Sequence, residues 1–224
     1  SFVAHISVID QDSGSNGKFY CSLHSPSFAL QSLLAAEYTI VSAEVLDREK
    51  VDNYILNVEC TDRGTPPLSS FEQIIVAVQD VNDNPPAFSQ QIYFGQIEEN
   101  SRVGQFIIQI NATDRDLDQN AQVQYVIDHR GSEMISLDSR TGIAKAAMSF
   151  DHEIVKDIEA TVYAIDQGEP KLTSTATILI TVKDVNDERP KFSVPNYSFH
   201  VDRHEPVGAQ VGKVYATDSD SEPF

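Results

Sequence analysis

Thirty-four acidic side chains against 16 Lys and Arg give this 224-residue chain a formal charge of −18. That excess repels phosphate backbones and anionic lipid, which argues against nucleic-acid or membrane-surface binding and favours cations or a basic protein partner. Hydrophobic residues at 41% suffice for packed cores and exclude a disordered chain, and no apolar run approaches the ~20 residues of a membrane helix.

In chain order, residues 1–6 read as a strand with no signal peptide ahead of them. Residues 29–37 suggest a short helix or an irregular insert. Leu56, Val58 and Cys60, then Ile74, Val76 and Val78, alternate with a period of two, as half-buried strands do. The same alternation returns at Ala160, Val162 and Ala164 and at Ile178, Ile180 and Val182. The chain stops within the motif Asp218-Ser219-Asp220, so we expect an excerpt of a longer protein. The class is all-β, with two-sheet sandwiches as the unit.

Internal repetition is the strongest signal. Asp80-Val81-Asn82-Asp83-Asn84 recurs as Asp184-Val185-Asn186-Asp187-Glu188, at an offset of 104. Asp47-Arg48-Glu49 returns as Asp151-His152-Glu153, and Asp62-Arg63-Gly64 as Asp166-Gln167-Gly168, at that same offset. Asp10 and Asp12 step to Asp114 and Asp116, then to Asp218 and Asp220. The period matches one sandwich domain of about 100 residues. Pro85-Pro86 and Pro190 follow the acidic strings and stiffen the passage to the next unit. We therefore expect units at 1–84 (lacking its first strand), 85–188 (complete) and 189–224 (the start of a third).

Ca²⁺ takes six to eight oxygens from carboxylates, amides, backbone carbonyls and water. The Val-Asn-Asp-Asn string supplies several of these within one short extended segment, where Asp80, Asn82 and Asn84 point one way and Asp83 another. Asp-x-Asp sets two carboxylates side by side, and Glu49 and Glu153 are long enough to chelate. An EF-hand starting at Asp114 would need Gly at Gln119 and a carboxylate at Tyr125, and neither is present. The six histidines show no recurring ligand or nucleophile–base spacing, and neither a Gly-rich phosphate loop nor a Gly-x-Ser-x-Gly elbow occurs. Catalysis is not expected.

These strings together resemble the cadherin superfamily across essentially the whole chain. The resemblance implies tandem seven-stranded Greek-key β-sandwich repeats in an extended rod, with Ca²⁺ shared where repeats meet. The implied first ligand set is Asp47, Glu49, Asp80, the Val81 carbonyl, Asn82, Asp83 and the Asn84 carbonyl, with Asp114, Asp116, the Asn120 carbonyl and Asp166. The second is Glu99, Asp151, Glu153, Asp184, the Val185 carbonyl, Asn186, Asp187 and the Glu188 carbonyl, with Asp218 and Asp220. Asp10, Asp12, Asn16 and Asp62 are expected to serve a junction upstream. The family's bridging glutamate is Arg203 in the third copy, with Asp202 and Glu205 out of register, and Phe224 stands where Asn16 and Asn120 stand earlier.

The resemblance further implies calcium-dependent cell–cell adhesion by the ectodomain of a single-pass plasma-membrane protein. Its partner would be another cadherin on an apposed cell, homophilic or heterophilic. The alternative is a calcium-stiffened mechanical spacer or receptor ectodomain with no adhesive surface of its own. The absence of Trp removes the swapped N-terminal tryptophan by which some members pair, and residues 62–70 resemble the large Fat, Dachsous and protocadherin groups. Asn111 and Asn196 begin glycosylation sequons. Cys21 and Cys60 occupy core positions. We read them as buried free thiols, with a disulfide between neighbouring strands as the alternative.

Overall fold

The computed structural model describes residues 1–34 and 36–220. Its internal contacts divide the chain into two units, Ser1–Val81 and Asn82–Phe224.

The first unit contains β1 (Phe2–Ser7), β2 (Phe19–Leu23), β3 (Phe28–Leu34), β4 (Glu37–Ser42), β5 (Asn53–Asp62) and β6 (Ser69–Ala77). They form two antiparallel sheets, ordered β1-β4-β3 and β2-β5-β6. Inward residues of both sheets close over Phe28, Ile40, Leu56 and Val58, and Phe28 meets Tyr54 edge-on at 5.0 Å between ring centroids. Period-two burial on β5 follows the alternation in the sequence.

The described residues of 29–37 are not helical: 29–34 belong to β3, Ala36 lies in a turn and Glu37 opens β4. The two strands pair from Phe28↔Ser42 to Leu34↔Glu37 with a register shift between Ser32 and Leu34. Helix propensity is a weak prior, and so short a helix gains little, whereas the ladder pairs the backbone groups. The free-thiol reading also gives way. Cys21 lies directly opposite Cys60 in the β2–β5 ladder, the two Cα atoms are 4.0 Å apart, and a disulfide joins them. Sequence phase put both on the inward face but could not tell that they share one rung.

The second unit holds β7 (Ala87–Phe88), β8 (Ile92–Glu98), β9 (Phe106–Gln109), β10 (Ala112–Thr113), β11 (Gln124–Ile127), α1 (His129–Met134), β12 (Ile135–Leu137), β13 (Ile143–Ala146), β14 (Asp157–Ile165), β15 (Thr173–Lys183), β16 (Lys191–Phe192) and β17 (Ala216–Thr217). One sheet is ordered β11-β14-β15-β8, the facing one β12-β13-β9, and β7 pairs with β10. The core comes from alternating positions of the two longest strands: Ile158, Ala160, Val162 and Ala164 on β14, and Ala176, Ile178, Ile180 and Val182 on β15. Burying each Ile or Val contributes roughly 1.5–3 kcal/mol. Gly95 on β8 is required by close approach, since a Cβ there would lie 2.9 Å from Ile107 Cγ2 and 3.3 Å from Ile180 Cγ1.

The 104-residue step recurs in the geometry. β16 and β17 pair as β7 and β10 do. The Tyr93 hydroxyl donates to the Asn111 carbonyl at 2.8 Å, and Tyr197 repeats this on the Tyr215 carbonyl at 2.8 Å. Thr65–Pro66 and Glu169–Pro170 are both cis.

Candidate metal centres

Asp-x-Asp and Asp-x-Gly each take one local form in every copy. In Asp-x-Asp, the first carboxylate accepts from the backbone N–H of the second aspartate, at 2.9 Å for Asp10–Asp12, 3.0 Å for Asp114–Asp116 and 3.2 Å for Asp218–Asp220. This Asx turn aims the second aspartate. Asp116 receives the Asn84 backbone N–H on Oδ2 at 3.2 Å and the Asn84 amide on Oδ1 at 2.8 Å. Asp220 likewise receives the Glu188 N–H at 3.2 and 3.0 Å. In Asp-x-Gly, Asp62 and Asp166 each accept from the glycine N–H two residues on and the leucine N–H six residues on.

Asp166 is fully buried, and its Oδ2 also accepts from the Asn82 amide at 3.1 Å. The Asn82 Nδ2 donates in addition to the Pro170 carbonyl at 2.6 Å. Both Asn82 amide donors are thus directed at protein, and its Oδ1 is buried with no donor. Gly168 makes room for this: a Cβ there would sit 2.3 Å from the Asn82 amide group.

The second ligand set is drawn together. Glu99, only 3% exposed, accepts from the Val185 N–H on Oε1 at 2.6 Å and the His152 N–H on Oε2 at 2.7 Å. Ligand oxygens of Glu99, Asp151 and Glu153 lie within 4.8 Å of one another, as do those of Glu153, Asp187 and Asp220. Glu153 belongs to both groups, as a bridging ligand would. Asn100, in the left-handed region at φ 55°, donates its amide to Asp187. Asn tolerates that conformation better than most residues. Asn100 was not among the expected site residues, although its place beside Glu99 was a usable signal.

In the first unit, Arg48 pairs with Glu49 and reaches Asp80 Oδ1 with Nε at 2.5 Å, and Lys50 pairs with Asp47 at 2.8 Å. Asp10, Asp12 and Asp62 line one cleft of about 260 Å³. Asn16 is exposed and does not line it, and Asn186 is exposed where its copy Asn82 is buried. Val81 and Val185 are exposed, and Asn84, Asn120 and Glu188 half-buried. Asn111 and Asn196 are exposed, as an acceptor for a glycan must be. Arg203 is exposed beside an Asp202 turn that accepts from the His204 N–H at 3.3 Å. Phe224 lies outside the described residues.

The donor set fits a hard cation. Asp47 Oδ1, Asn82 Oδ1, Asp114 Oδ2 and Glu153 Oε1 are buried without hydrogen-bond donors; leaving such atoms unpaired is costly unless something positive faces them. Burial raises the Glu153 carboxyl above the usual range, reinforced by Glu99, Asp151 and Asp184. Burial likewise raises Asp114, with Asp116 and Asp166 adding to it. Asp220 is raised by burial together with Asp218, Asp184 and Asp187. Asp47, by contrast, is held low by its bond to Lys50. Oxygen-only donors in acidic clusters suit Ca²⁺ better than the N and S donors that zinc prefers.

Comparison with known proteins agrees with this geometry. The cadherin domain family matches residues 1–79 and 93–183. Human protocadherin gamma-A9 is 39% identical over 226 residues, 95% of this chain and 24% of that protein, and human protocadherin gamma-A6 is 40% identical over 233 residues, 98% of this chain and 25% of that protein. The chain thus spans about a quarter of the length of these curated relatives. The solved structure of the protocadherin gammaB7 EC3-6 cis-dimer shares 36% identity at a TM-score of 0.91, over 99% of this chain and 56% of that one. With a family match over most of its length, relatives near 40% identity and acidic motifs repeating in register, this chain belongs to the cadherin family.

Proposed function

We propose that this chain is part of the ectodomain of a protocadherin-like cell–cell adhesion protein, anchored in the plasma membrane outside this segment. Its three repeats are 1–84, 85–188 and 189–224. The identities of 37–40% to protocadherin gamma chains over 95–99% of this chain support the protocadherin branch over Fat or Dachsous. The partner is another cadherin on an apposed cell. We assign the chain no catalytic role.

The observation that carries the reading is the recurrence of one acidic set at a fixed step, with buried carboxylate and amide oxygens left without donors. In the later set the ligands are Glu99, Asp151, Glu153, Asp184, Val185, Asn186, Asp187, Glu188, Asp218 and Asp220. The earlier set is Asp47, Glu49, Asp80 and Val81, with Asn82, Asp83, Asn84, Asp114, Asp116, Asn120 and Asp166; Asp10, Asp12, Asn16 and Asp62 serve an upstream site. Ca²⁺ supplies divalent charge and several oxygen-coordination positions. The residues do the rest. Glu153 spans two groups, the Asx turns hold Asp116 and Asp220 against the linker backbone, and Glu99 ties the His152 and Val185 amides to one carboxylate. Without the ion, each close carboxylate pair costs roughly 1 kcal/mol in water, and the linker loosens. With Kd values near about 10⁻⁴–10⁻³ M, typical of extracellular modules, the sites fill outside cells and empty inside.

Small-angle scattering on the full ectodomain across a calcium titration tests this. Calcium should lengthen and stiffen the particle, and Asp83→Ala should blunt the change; a profile indifferent to calcium would refute the reading. Beads coated with the ectodomain should clump in calcium and disperse in chelator. Clumping that survives deletion of these repeats would leave them a spacer role.

A further inference from the structure

Resting on that calcium reading, we propose that Arg48 and Lys50 are built-in counter-cations that set the order in which the two acidic sets give up calcium. The set carrying them tolerates being empty, and the set lacking them depends on the ion.

The two copies differ at these two positions. In the first unit all three carboxylates have a cation. Asp47 pairs with Lys50 at 2.8 Å, and Arg48 serves both Glu49 and Asp80. The Arg48 side chain is only 10% exposed, so its forked guanidinium is held in place while remaining charged. At an offset of 104, Arg48 becomes His152 and Lys50 becomes Ile154. The His152 ring turns to the Val182 carbonyl, with Nδ1 at 2.7 Å, and Ile154 is exposed and apolar. Lys191 meets the second set at Glu188, at 2.7 Å, but among the described residues no Lys or Arg pairs with Glu99, Asp151 or Glu153, whose ligand oxygens still converge within 4.8 Å.

Two consequences follow from charge alone. With the second set empty, Glu99, Asp151 and Glu153 keep their mutual repulsion, so their loop loosens when calcium leaves, while the charges of Asp47, Glu49 and Asp80 stay offset by Arg48 and Lys50. Conversely, an ion entering the first set competes with Arg48 for the Glu49 and Asp80 oxygens, so that set fills at higher calcium.

The structure supplies matched reporters. The Val51 N–H donates to the Asp47 carbonyl at 3.0 Å, and the Val155 N–H donates to the Asp151 carbonyl at 2.9 Å, in the same turn of each copy. Hydrogen exchange of these two amides, measured on the full ectodomain from chelator through millimolar calcium, reads both sets at once. In chelator, Val155 should exchange about tenfold faster than Val51, and on titration Val155 should gain protection at lower calcium. Arg48→His with Lys50→Ile should speed Val51 in chelator to the rate of Val155. His152→Arg with Ile154→Lys should slow Val155 by a similar factor. Equal exchange of the two amides in chelator, or rates unmoved by the swaps, would overturn the proposal. If the first swap unfolds its unit, Lys50→Ile alone and the reverse swap carry the same comparison. Calcium that protects neither amide removes the functional reading, while the chelator arm still judges the counter-cations; calcium that protects both in an order independent of residues 48 and 50 removes this inference alone.

Discussion

Replacing Glu99 by Gln separates an ion-binding carboxylate from a merely structural one. Glu99 is buried and accepts two backbone N–H groups, at 2.6 and 2.7 Å. A Gln can accept only one of them through its oxygen and turns an NH₂ against the other, losing one charge-assisted hydrogen bond worth about 1.5–3 kcal/mol. The same change removes repulsion from Asp151 and Glu153, whose oxygens come within 4.8 Å; at about 1 kcal/mol per pair in a water-like dielectric, that relief is about 2 kcal/mol. The two effects nearly cancel, so metal-free stability should shift by no more than about 1 kcal/mol, or roughly 4–8 °C in Tm for a domain of this size. With calcium there is no cancellation, because the site has lost a charged oxygen. A hundredfold weaker affinity forfeits about 1.4 kcal/mol of ligand-linked stability per site when calcium is at tenfold the wild-type Kd. Thermal unfolding of wild type and variant, in chelator and in millimolar calcium, measures both terms. A variant that keeps the full calcium-induced rise in Tm, or that drops equally in both conditions, would refute the argument.

Acidity should act in opposite directions on metal-free and calcium-loaded protein. Glu153, Asp114 and Asp220 are raised from ordinary values of 4.5, 3.8 and 3.8, so the folded metal-free protein holds more protons than the unfolded chain, and its stability falls as pH rises from those values through the raised ones. Added calcium should flatten or reverse that slope in a Tm-against-pH series. Asp138 behaves in the ordinary sense: the Thr141 N–H, the Thr141 hydroxyl and the Arg140 N–H hold it low, so its contribution is present above 3.8 and lost as pH falls through its depressed value, and Asp138→Ala should lower Tm at neutral pH and remove that acid limb. Gly168→Ala forces a Cβ to within 2.3 Å of the Asn82 amide, and calorimetric titration should show weaker calcium binding while circular dichroism still reports a β-fold. Replacing Cys21 and Cys60 by Ser removes a cross-link spanning 39 residues, and urea unfolding should register a loss of about 2–4 kcal/mol confined to the first unit.

What could be read in advance divides by range. The acidic motifs were legible because each is local. Asp-x-Asp, Asp-x-Gly and Asp-x-Asn-Asp-Asn fix their own turns, so one string repeated at 104 residues already specifies one backbone form. The inward faces of β14 and β15 were legible for the same reason, since period-two burial needs no knowledge of the partner strand. Pairing was not legible. Nothing local shows that Cys21 sits opposite Cys60, or that residues 29–34 are held extended by β4. The partners of Arg48 and His152 were not legible either, because a charge partner is defined by what folds against it. Asn82 shows the converse: its string is local, but its burial depends on Asp166 and Pro170, 84 and 88 residues further on.

The ladder between β15 and β8 has a mechanical meaning. It is parallel, running from Thr177↔Ile92 to Lys183↔Glu98, so the chain enters this sheet at one end of the ladder and leaves β15 at the other. A pull applied through those two points drags the strands past each other along their length, and every rung resists together. An antiparallel hairpin pulled from its open end would instead yield one rung at a time. Such wiring suits a protein that transmits force along its chain, and under load this unit should fail abruptly, at one high peak.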